Sequence, residues 1–124
     1  MSEIPILYED NHLLVVVKPP NLLSQGDATG DEDLLTLLKE YIRVAYQKPG
    51  NVYLGLVHRL DRPVGGVMVF AKTSKAASRL SEQIRDKTFG RSYLAVVEGH
   101  PKKTTGSVRN FLLKDRQKNL VEVV

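Results

Sequence analysis

Two short valine-rich runs limit the folds that this chain can adopt. His12–Lys18 reads HLLVVVK and stops at Pro19-Pro20, and Gly66–Lys72 reads GVMVFAK. Short apolar runs that are rich in β-branched residues and closed by proline or polar residues are typical of β-strands. The sequence therefore predicts a sheet built around these two strands, with the first strand buried on both faces.

Two helices are predicted between and after these strands. Apolar residues recur at three- and four-residue spacing over Asp31–Lys48, and Pro49-Gly50 ends the pattern. Thr73 or Ser74 can cap a second helix. Further strands are predicted at Val52–Val57, Arg91–Glu98, Ser107–Leu113 and Leu120–Val124. Strands outnumber helices without alternating strictly with them, so we expect an α+β fold with a mixed, mainly antiparallel sheet and two flanking helices.

Length and composition narrow the class of protein. The chain has 124 residues and no linker that would divide it, so residues 1–124 are predicted to form a single domain. The net charge of +4 permits a polyanionic partner without requiring one. The lack of cysteine excludes disulfides and thiolate nucleophiles. Neither a signal peptide nor an apolar run of membrane-spanning length is visible, so we expect a cytoplasmic protein with no membrane partner.

The stretch LVHRLDRPVGG, Leu56–Gly66, places one carboxylate, Asp61, between Arg59 and Arg62. A strand is predicted on each side, so Asp61 would lie in a loop at a strand end, where functional side chains are often displayed. The proline after Arg62 stiffens this loop, and the glycine pair permits a tight turn. Neighbouring guanidinium groups would favour an ionised carboxylate, which a nucleophile or a base requires.

Other interpretations of this stretch remain open from the pattern alone. An aspartate between arginines in a loop is most often a surface ion pair or a turn former. A hydrolytic triad that uses His58 and Asp61 is disfavoured, because no serine stands in a G-x-S-x-G context. A metal site is also disfavoured, since His12, His58 and His100 lack ligand spacing.

Three segments resemble the RluA-type family of RNA pseudouridine synthases. HRLDRPVGGVMVFAKT, at 58–73, and RSYLAVVEG, at 91–99, are similar to the family's aspartate motif and aromatic strand. ILYEDNHLLVVVKPPNLLSQG, at 6–26, is similar to the family's opening strand and loop. The resemblance implies a fold like the front half of the pseudouridine synthase catalytic domain. It also implies isomerisation of uridine to pseudouridine in rRNA or tRNA, with neither a cofactor nor a metal.

The same resemblance implies roles for individual residues. Asp61 matches the family's essential aspartate, and Tyr93 matches an active-site tyrosine whose ring can stack on a flipped uracil. Arg59 matches an arginine associated with filling the gap that the flipped base leaves, and we expect both Arg59 and Arg62 to contact RNA. The simpler alternatives are a strand aromatic for Tyr93 and ion-pair support of Asp61 for Arg59. Further cations that could touch phosphates are Lys72, Lys75, Arg79, Arg91, Lys102 and Lys103.

The sequence departs from the family pattern in two places. Val64-Gly65-Gly66 stands where the family often has Thr-Ser-Gly, and no Thr-Gly-Arg-x-His-Gln segment occurs before Val124. The arginine of that segment is implied to pair with the catalytic aspartate. We therefore expect an incomplete catalytic domain, weakly active or inactive alone, that a separate C-terminal segment completes. The alternatives are a non-catalytic RNA-binding remnant and a regulatory partner that completes its sheet with another chain.

Overall fold

The computed structural model describes residues 3–124, and the chain forms two compact units, Met1–Arg91 and Ser92–Val124. The first unit contains β1 (Ile6–Glu9), β2 (Leu13–Lys18), α1 (Leu34–Ala45), β3 (Gly55–Leu56), β4 (Gly66–Ala71) and α2 (Ser74–Arg85). The second contains β5 (Leu112–Asp115) and β6 (Leu120–Val123). The predicted α+β class, with mainly antiparallel strands and two helices, is confirmed. Within residues 3–124, no helix has the length and apolarity needed to cross a membrane.

The first unit has a four-stranded sheet in the order β1-β2-β4-β3, and every neighbouring pair is antiparallel. The two valine-rich runs pair directly, from Leu13 opposite Ala71 to Lys18 opposite Gly66. Burial along β2 alternates between buried and half-buried residues, so the expectation of a strand buried on both faces is wrong. Successive side chains of a strand point to opposite faces, and only one face of β2 is fully enclosed.

Helix α1 covers that enclosed face. Its N-cap is Asp33, whose Oδ2 accepts a hydrogen bond from the Thr36 N–H at 3.0 Å, so the helix is shorter at both ends than the predicted range. The core residues of the helix and the sheet are Leu14, Val16, Leu34, Leu38, Ile42, Leu54, Met68 and Phe70. This core fixes the strand ends from which the loops of the candidate site extend.

Helix α2 packs on part of the other sheet face. Its N-cap is Thr73, one of the two residues predicted for this position, and Thr73 Oγ1 accepts from the Ala76 N–H at 3.1 Å. Leu80 is buried against Ala71. A Cβ on Gly55 would lie 3.1 Å from the Ala77 Cβ, so glycine at this position allows the helix to approach β3 closely. The strand predicted at Val52–Val57 is shorter in the structure, where β3 contains only Gly55 and Leu56.

The second unit is a two-stranded antiparallel hairpin with an irregular approach. The strand predicted at Leu120–Val124 is confirmed as β6, whereas the strand predicted at Ser107–Leu113 begins only at Leu112. The strand predicted at Arg91–Glu98 is wrong, because those residues have no regular secondary structure. A strand needs a partner for its backbone groups, and none of the described residues pairs with this segment.

Candidate active site

The Asp61 loop connects β3 to β4 and carries three of the four predicted site residues. The Val64 N–H donates to the Asp61 carbonyl at 2.9 Å and closes a tight turn. The Asp61 and Arg59 side chains are exposed at this turn. Gly66 then begins β4 with φ +155°, a value that residues with a side chain rarely adopt. The loop therefore displays its carboxylate at the surface of the first unit.

The backbone on both sides of Asp61 is bonded to a second loop, which follows β2. The Leu60 carbonyl accepts from Ser24 Oγ at 2.6 Å, and the Leu60 N–H donates to the same hydroxyl oxygen at 3.1 Å. The Arg62 carbonyl accepts from the Asn21 N–H at 2.8 Å. These bonds hold the residues before and after Asp61, so they restrict the direction in which its side chain can leave the loop.

A fully buried lysine lies between the two loops. Lys18 Nζ donates to the Pro19, Leu22 and Arg62 carbonyls, at 3.2, 2.5 and 3.1 Å. Three acceptors match the three donors of an ammonium group. Burial lowers the pKa of Lys18, and the negative charge of Asp61 acts in the opposite direction. Lys18 is therefore a buried cation whose charge is coupled to the candidate catalytic carboxylate.

The second loop is in turn anchored to the start of α1. The Leu34 N–H donates to the Leu23 carbonyl at 2.7 Å, and the Leu35 N–H donates to the Ser24 carbonyl at 3.1 Å. Amide groups in the first turn of a helix have no partner within the helix, so the loop supplies acceptors that the helix needs. A continuous path of hydrogen bonds thus runs from the core helix through Ser24 to the residue preceding Asp61.

Gly65 lets the two loops approach each other. A Cβ at this position would lie 3.0 Å from Pro20 Cδ and 3.2 Å from the Lys18 carbonyl oxygen. Backbone atoms cannot move away as a flexible side chain can, so a larger residue would separate the loops. The glycine pair noted in the sequence serves this contact as well as the turn itself.

The prediction that Arg59 and Arg62 hold Asp61 between them is wrong with respect to ion pairing. Arg62 Nη1 lies 2.8 Å from Asp31 Oδ2, at the exposed side of the loop. Neither Arg59 nor Arg62 forms an ion pair with Asp61 within residues 3–124. Asp31 precedes α1 and is 31 residues away from Arg62 in the sequence. A local sequence pattern therefore could not predict that Asp31, rather than Asp61, pairs with Arg62. The contact of both arginines with RNA stays a prediction.

A polar cleft opens beside Arg62. Its volume is about 410 Å³, within the range of small-molecule sites. Its lining residues are Pro19, Pro20, Asn21, Leu22, Asp31, Glu32 and Arg62. Asp61 does not line this cleft, so the cleft is not a pocket around the candidate catalytic carboxylate.

His58 supports the strand that precedes the Asp61 loop. The Val69 N–H of β4 donates to His58 Nε2 at 3.1 Å, and the ring packs on Phe89 with centroids 5.7 Å apart. This bond requires a neutral ring with its proton on Nδ1. Burial lowers the pKa of His58, and the nearby Arg91 lowers it further. Strand β3 ends at Leu56, so the His58 ring supplies the hydrogen-bond acceptor that a longer β3 would have offered to β4.

The remaining candidate residues belong to other segments of the chain. Tyr93 belongs to the second unit, outside any strand, and its side chain is 64% exposed. Lys72, one of the cations predicted to be able to touch phosphates, instead forms a half-buried ion pair with Glu9 at 2.7 Å. Lys75 and Arg79 are exposed on α2.

Sequence reasoning missed the residues that hold the loop in place: Lys18, Asn21, Ser24 and Asp31. The only signal for them was the abrupt stop of the first valine-rich run at Lys-Pro-Pro, followed by a short polar loop. That signal marks a loop, but it does not indicate which backbone groups the loop binds.

Comparison with known proteins identifies the family. A family model described as RNA pseudouridylate synthase matches residues 12–123. The chain belongs to this family. It is 36% identical over 117 residues to ribosomal large subunit pseudouridine synthase C of Buchnera aphidicola subsp. Acyrthosiphon pisum, covering 91% of this chain and 35% of that protein. It is 37% identical over 110 residues to the protein of the same name in Escherichia coli, covering 89% and 33%.

Two further similarities support the RluA-type resemblance seen in the sequence. An uncharacterized RNA pseudouridine synthase of Bacillus subtilis, YhcT, is 35% identical over 116 residues. The solved structure of human RNA pseudouridylate synthase domain containing 4 matches with a TM-score of 0.57 and 28% identity, covering 68% of this chain and 30% of that chain. The chain spans about a third of the length of the curated relatives it matches.

Proposed function

We propose that this chain is the part of an RNA pseudouridine synthase that carries the catalytic aspartate, Asp61. The observation that carries the proposal is the Asp61 turn, whose backbone is bonded on both sides to the loop after β2. An exposed carboxylate on a fixed backbone can meet a nucleotide that has been extruded from folded RNA. The names of the relatives favour RNA of the large ribosomal subunit as substrate, with transfer RNA as the alternative.

The proposed reaction conserves the atoms of the nucleotide. The bond between N1 of uracil and C1′ of ribose breaks, the base turns, and a bond forms between C5 and C1′. N1 gains a proton and C5 loses one. Asp61 would act in this exchange as a carboxylate, either as nucleophile or as base. In this proposal Tyr93 stacks on the uracil and Arg59 fills the gap that the extruded base leaves.

We further propose that additional segments of the domain, on this or another polypeptide, complete the active site. The support is apolar exposure in the second unit, where Leu94 and Val96 are fully exposed and Phe111 is 82% exposed. Exposed apolar groups of this kind are typical of surfaces that another segment covers. The expectation that the chain is weakly active or inactive alone follows from the same point.

A label-release assay tests the proposed function. RNA of the large ribosomal subunit, carrying tritium at C5 of uridine, is incubated with the chain alone and with a polypeptide matching the rest of the Escherichia coli relative. Tritium should be released in the combined reaction, and the Asp61→Ala and Asp61→Asn variants should abolish release while retaining RNA binding. Arg43→Gln, on the exposed face of α1, serves as the control and should release tritium as the unchanged chain does.

Two outcomes would contradict the proposal. Release that persists in both Asp61 variants would remove the aspartate from the chemistry. RNA binding without release in the combined reaction would favour the alternative of a non-catalytic RNA-binding remnant, which the coverage of only a third of the relatives keeps open.

A further inference from the structure

Most of the net positive charge lies in the second unit. Residues Ser92–Val124 contain six Lys or Arg and three Asp or Glu, which gives this unit a net charge of +3 out of +4 for the chain. The described side chains of this unit are all exposed. Positive charge is therefore concentrated on the smaller of the two units, where it is available to a partner.

Three of these cations cluster at one end of the β5–β6 hairpin. Lys114 lies in β5, and Arg116 and Lys118 lie in the turn that joins the two strands. None of the three forms an ion pair within residues 3–124. Cations without a carboxylate partner can exchange their hydration and counterions for phosphate oxygens.

The turn fixes the arrangement of these cations. Asp115 Oδ1 accepts from the Gln117 N–H at 3.0 Å and from the Lys118 N–H at 3.1 Å. Asn119 has φ +52°, which returns the chain into β6. The Asp115 carboxylate is thus used by the turn backbone, and the cationic side chains on both sides of it are left to solvent.

The strand register separates the charges further. Lys114 is opposite Val121, and Asp115 is opposite Leu120. Because paired residues share a sheet face, Lys114 lies on one face of the hairpin. Asp115 lies on the other face, and so does Glu122, which pairs with Leu113. The face that carries Lys114 therefore has no acidic residue within the hairpin.

We propose that this cationic end of the hairpin, defined by Lys114, Arg116 and Lys118, binds phosphate groups of the RNA substrate. The inference rests on the proposed function for the identity of the partner, but it assigns the contact to a surface separate in sequence from the Asp61 loop. Three unpaired cations, with no acidic residue on the hairpin face of Lys114, suit the phosphate groups of a nucleic acid.

Salt-dependent binding tests the proposal on the full chain. The probe is a fluorescein-labelled RNA stem-loop with uridine in its loop, titrated by anisotropy between about 50 and 200 mM salt. The test variant is Arg116→Gln/Lys118→Gln. The matched control, Lys48→Gln/Arg85→Gln, removes one lysine and one arginine that are exposed in the first unit. A third variant, Arg116→Lys/Lys118→Arg, keeps both charges in place.

The expected result is a smaller salt dependence for the test variant only. Each lost phosphate contact lowers the slope of log K against log salt by about 0.7 for single-stranded RNA, so two contacts lower it by about 1.4. The charge-keeping variant should bind as the unchanged chain does, and far-UV circular dichroism should show that all variants keep the fold.

The outcomes separate this inference from the proposed function. If the unchanged chain binds RNA and the test variant keeps the same slope as the control, the hairpin is not a phosphate contact, while the proposed function stands. If the unchanged chain does not bind the stem-loop at all, this inference is overturned, whereas the proposed function is decided separately by tritium release in the combined reaction.

Discussion

A single buried side chain, Lys18, connects the core of the first unit to its candidate catalytic loop. Its ammonium group is bonded to carbonyls of both loops and interacts with the charge of Asp61. Lysine is rarely buried without compensation, because its charge loses hydration. Here the compensation comes from three carbonyls, two of which belong to the loop after β2 and one to the Asp61 loop.

Replacement of Lys18 by methionine should destabilise the chain. Methionine keeps the apolar length of the side chain but leaves three carbonyls without their donor, and an unpaired buried polar group costs about 1–3 kcal/mol. We expect the free energy of unfolding in urea to fall by about 2–4 kcal/mol. Lys48→Met, at an exposed position, should change it by less than about 0.5 kcal/mol. Equal effects of the two variants would mean that the buried ammonium does not hold the loops.

His58 should make stability depend on pH in the mildly acidic range. Because its folded-state pKa is lowered from 6.5, its contribution is present above pH 6.5 and is lost as pH falls through the folded value. The urea midpoint of the unchanged chain should therefore fall more between pH 7.5 and pH 5 than that of His58→Gln. His12→Gln, at an exposed histidine, is the control and should follow the unchanged chain. A His58→Gln profile as steep as that of the unchanged chain would contradict the assigned neutral ring.

At the scale of elements, one polar cluster joins β1, α1 and the end of β4. The Glu9 carboxylate accepts from Lys72 Nζ and the Tyr41 hydroxyl at 2.7 Å and from the Tyr46 hydroxyl at 2.6 Å. Burial alone would raise the pKa of Glu9, but the bonds from Lys72, Tyr46 and Tyr41 hold it below the ordinary value. The bond to Glu9 raises the pKa of Tyr41 to about 12. The cluster thus fastens the edge strand to the helix.

Glu9→Gln should weaken this junction far more than the removal of a surface ion pair. The side chain of Lys72 is only 12% exposed, and a hydrogen bond to a charged group contributes about 1.5–3 kcal/mol, so we expect a cost of about 2 kcal/mol. The matched control is Glu40→Gln, which breaks the exposed pair with Arg43 and should cost less than about 1 kcal/mol. In a double-mutant cycle measured by urea unfolding, Glu9→Gln should cost no more than Glu40→Gln when Lys72→Met is already present. The reason is that no ammonium group is then left without its carboxylate partner.

The same cluster predicts the direction of the pH dependence at both extremes. The Glu9 contribution is present above its unfolded value of 4.5 and is lost as pH falls through the lower folded value. The Tyr41 contribution is present below 10 and is lost as pH rises through about 12. Glu9→Gln should remove both dependences. Acid and alkaline unfolding profiles that match those of the unchanged chain would contradict the cluster's role.

Elements whose sequence signals lie within a few residues could be predicted from the sequence. Contacts that depend on partners distant in the sequence could not. The valine-rich runs of β2 and β4 and the Thr73 cap of α2 carry their signals within a few residues. The pairing of Arg62 with Asp31 and the bond from Ser24 to Leu60 join segments that are about 30 or more residues apart. Arg91–Glu98 has a strand-like composition, but composition supplies no pairing strand.

At the scale of the whole molecule, the two units differ in how they are stabilised. The first has an enclosed core between α1 and the four-stranded sheet. The second has no buried side chain among its described residues, and its regular structure is one two-stranded hairpin. An isolated two-stranded hairpin is marginally stable in water. Asp61, the candidate catalytic aspartate, therefore belongs to the unit with the enclosed core. Tyr93, the candidate stacking tyrosine, belongs to the unit that has no enclosed core among its described residues.

Native-state hydrogen exchange should separate the units. Amides of β2 and β4 should open with free energies close to that of global unfolding, whereas amides of β5 and β6 should open with free energies near zero. The exposed residues Gly50 and Asn51 provide the internal reference for unprotected amides. Adding the polypeptide that matches the remainder of the Escherichia coli relative should raise protection in residues 92–124, because covering their apolar side chains stabilises the hairpin. Strong protection of the hairpin before this addition would show that the second unit needs no further segment for its stability.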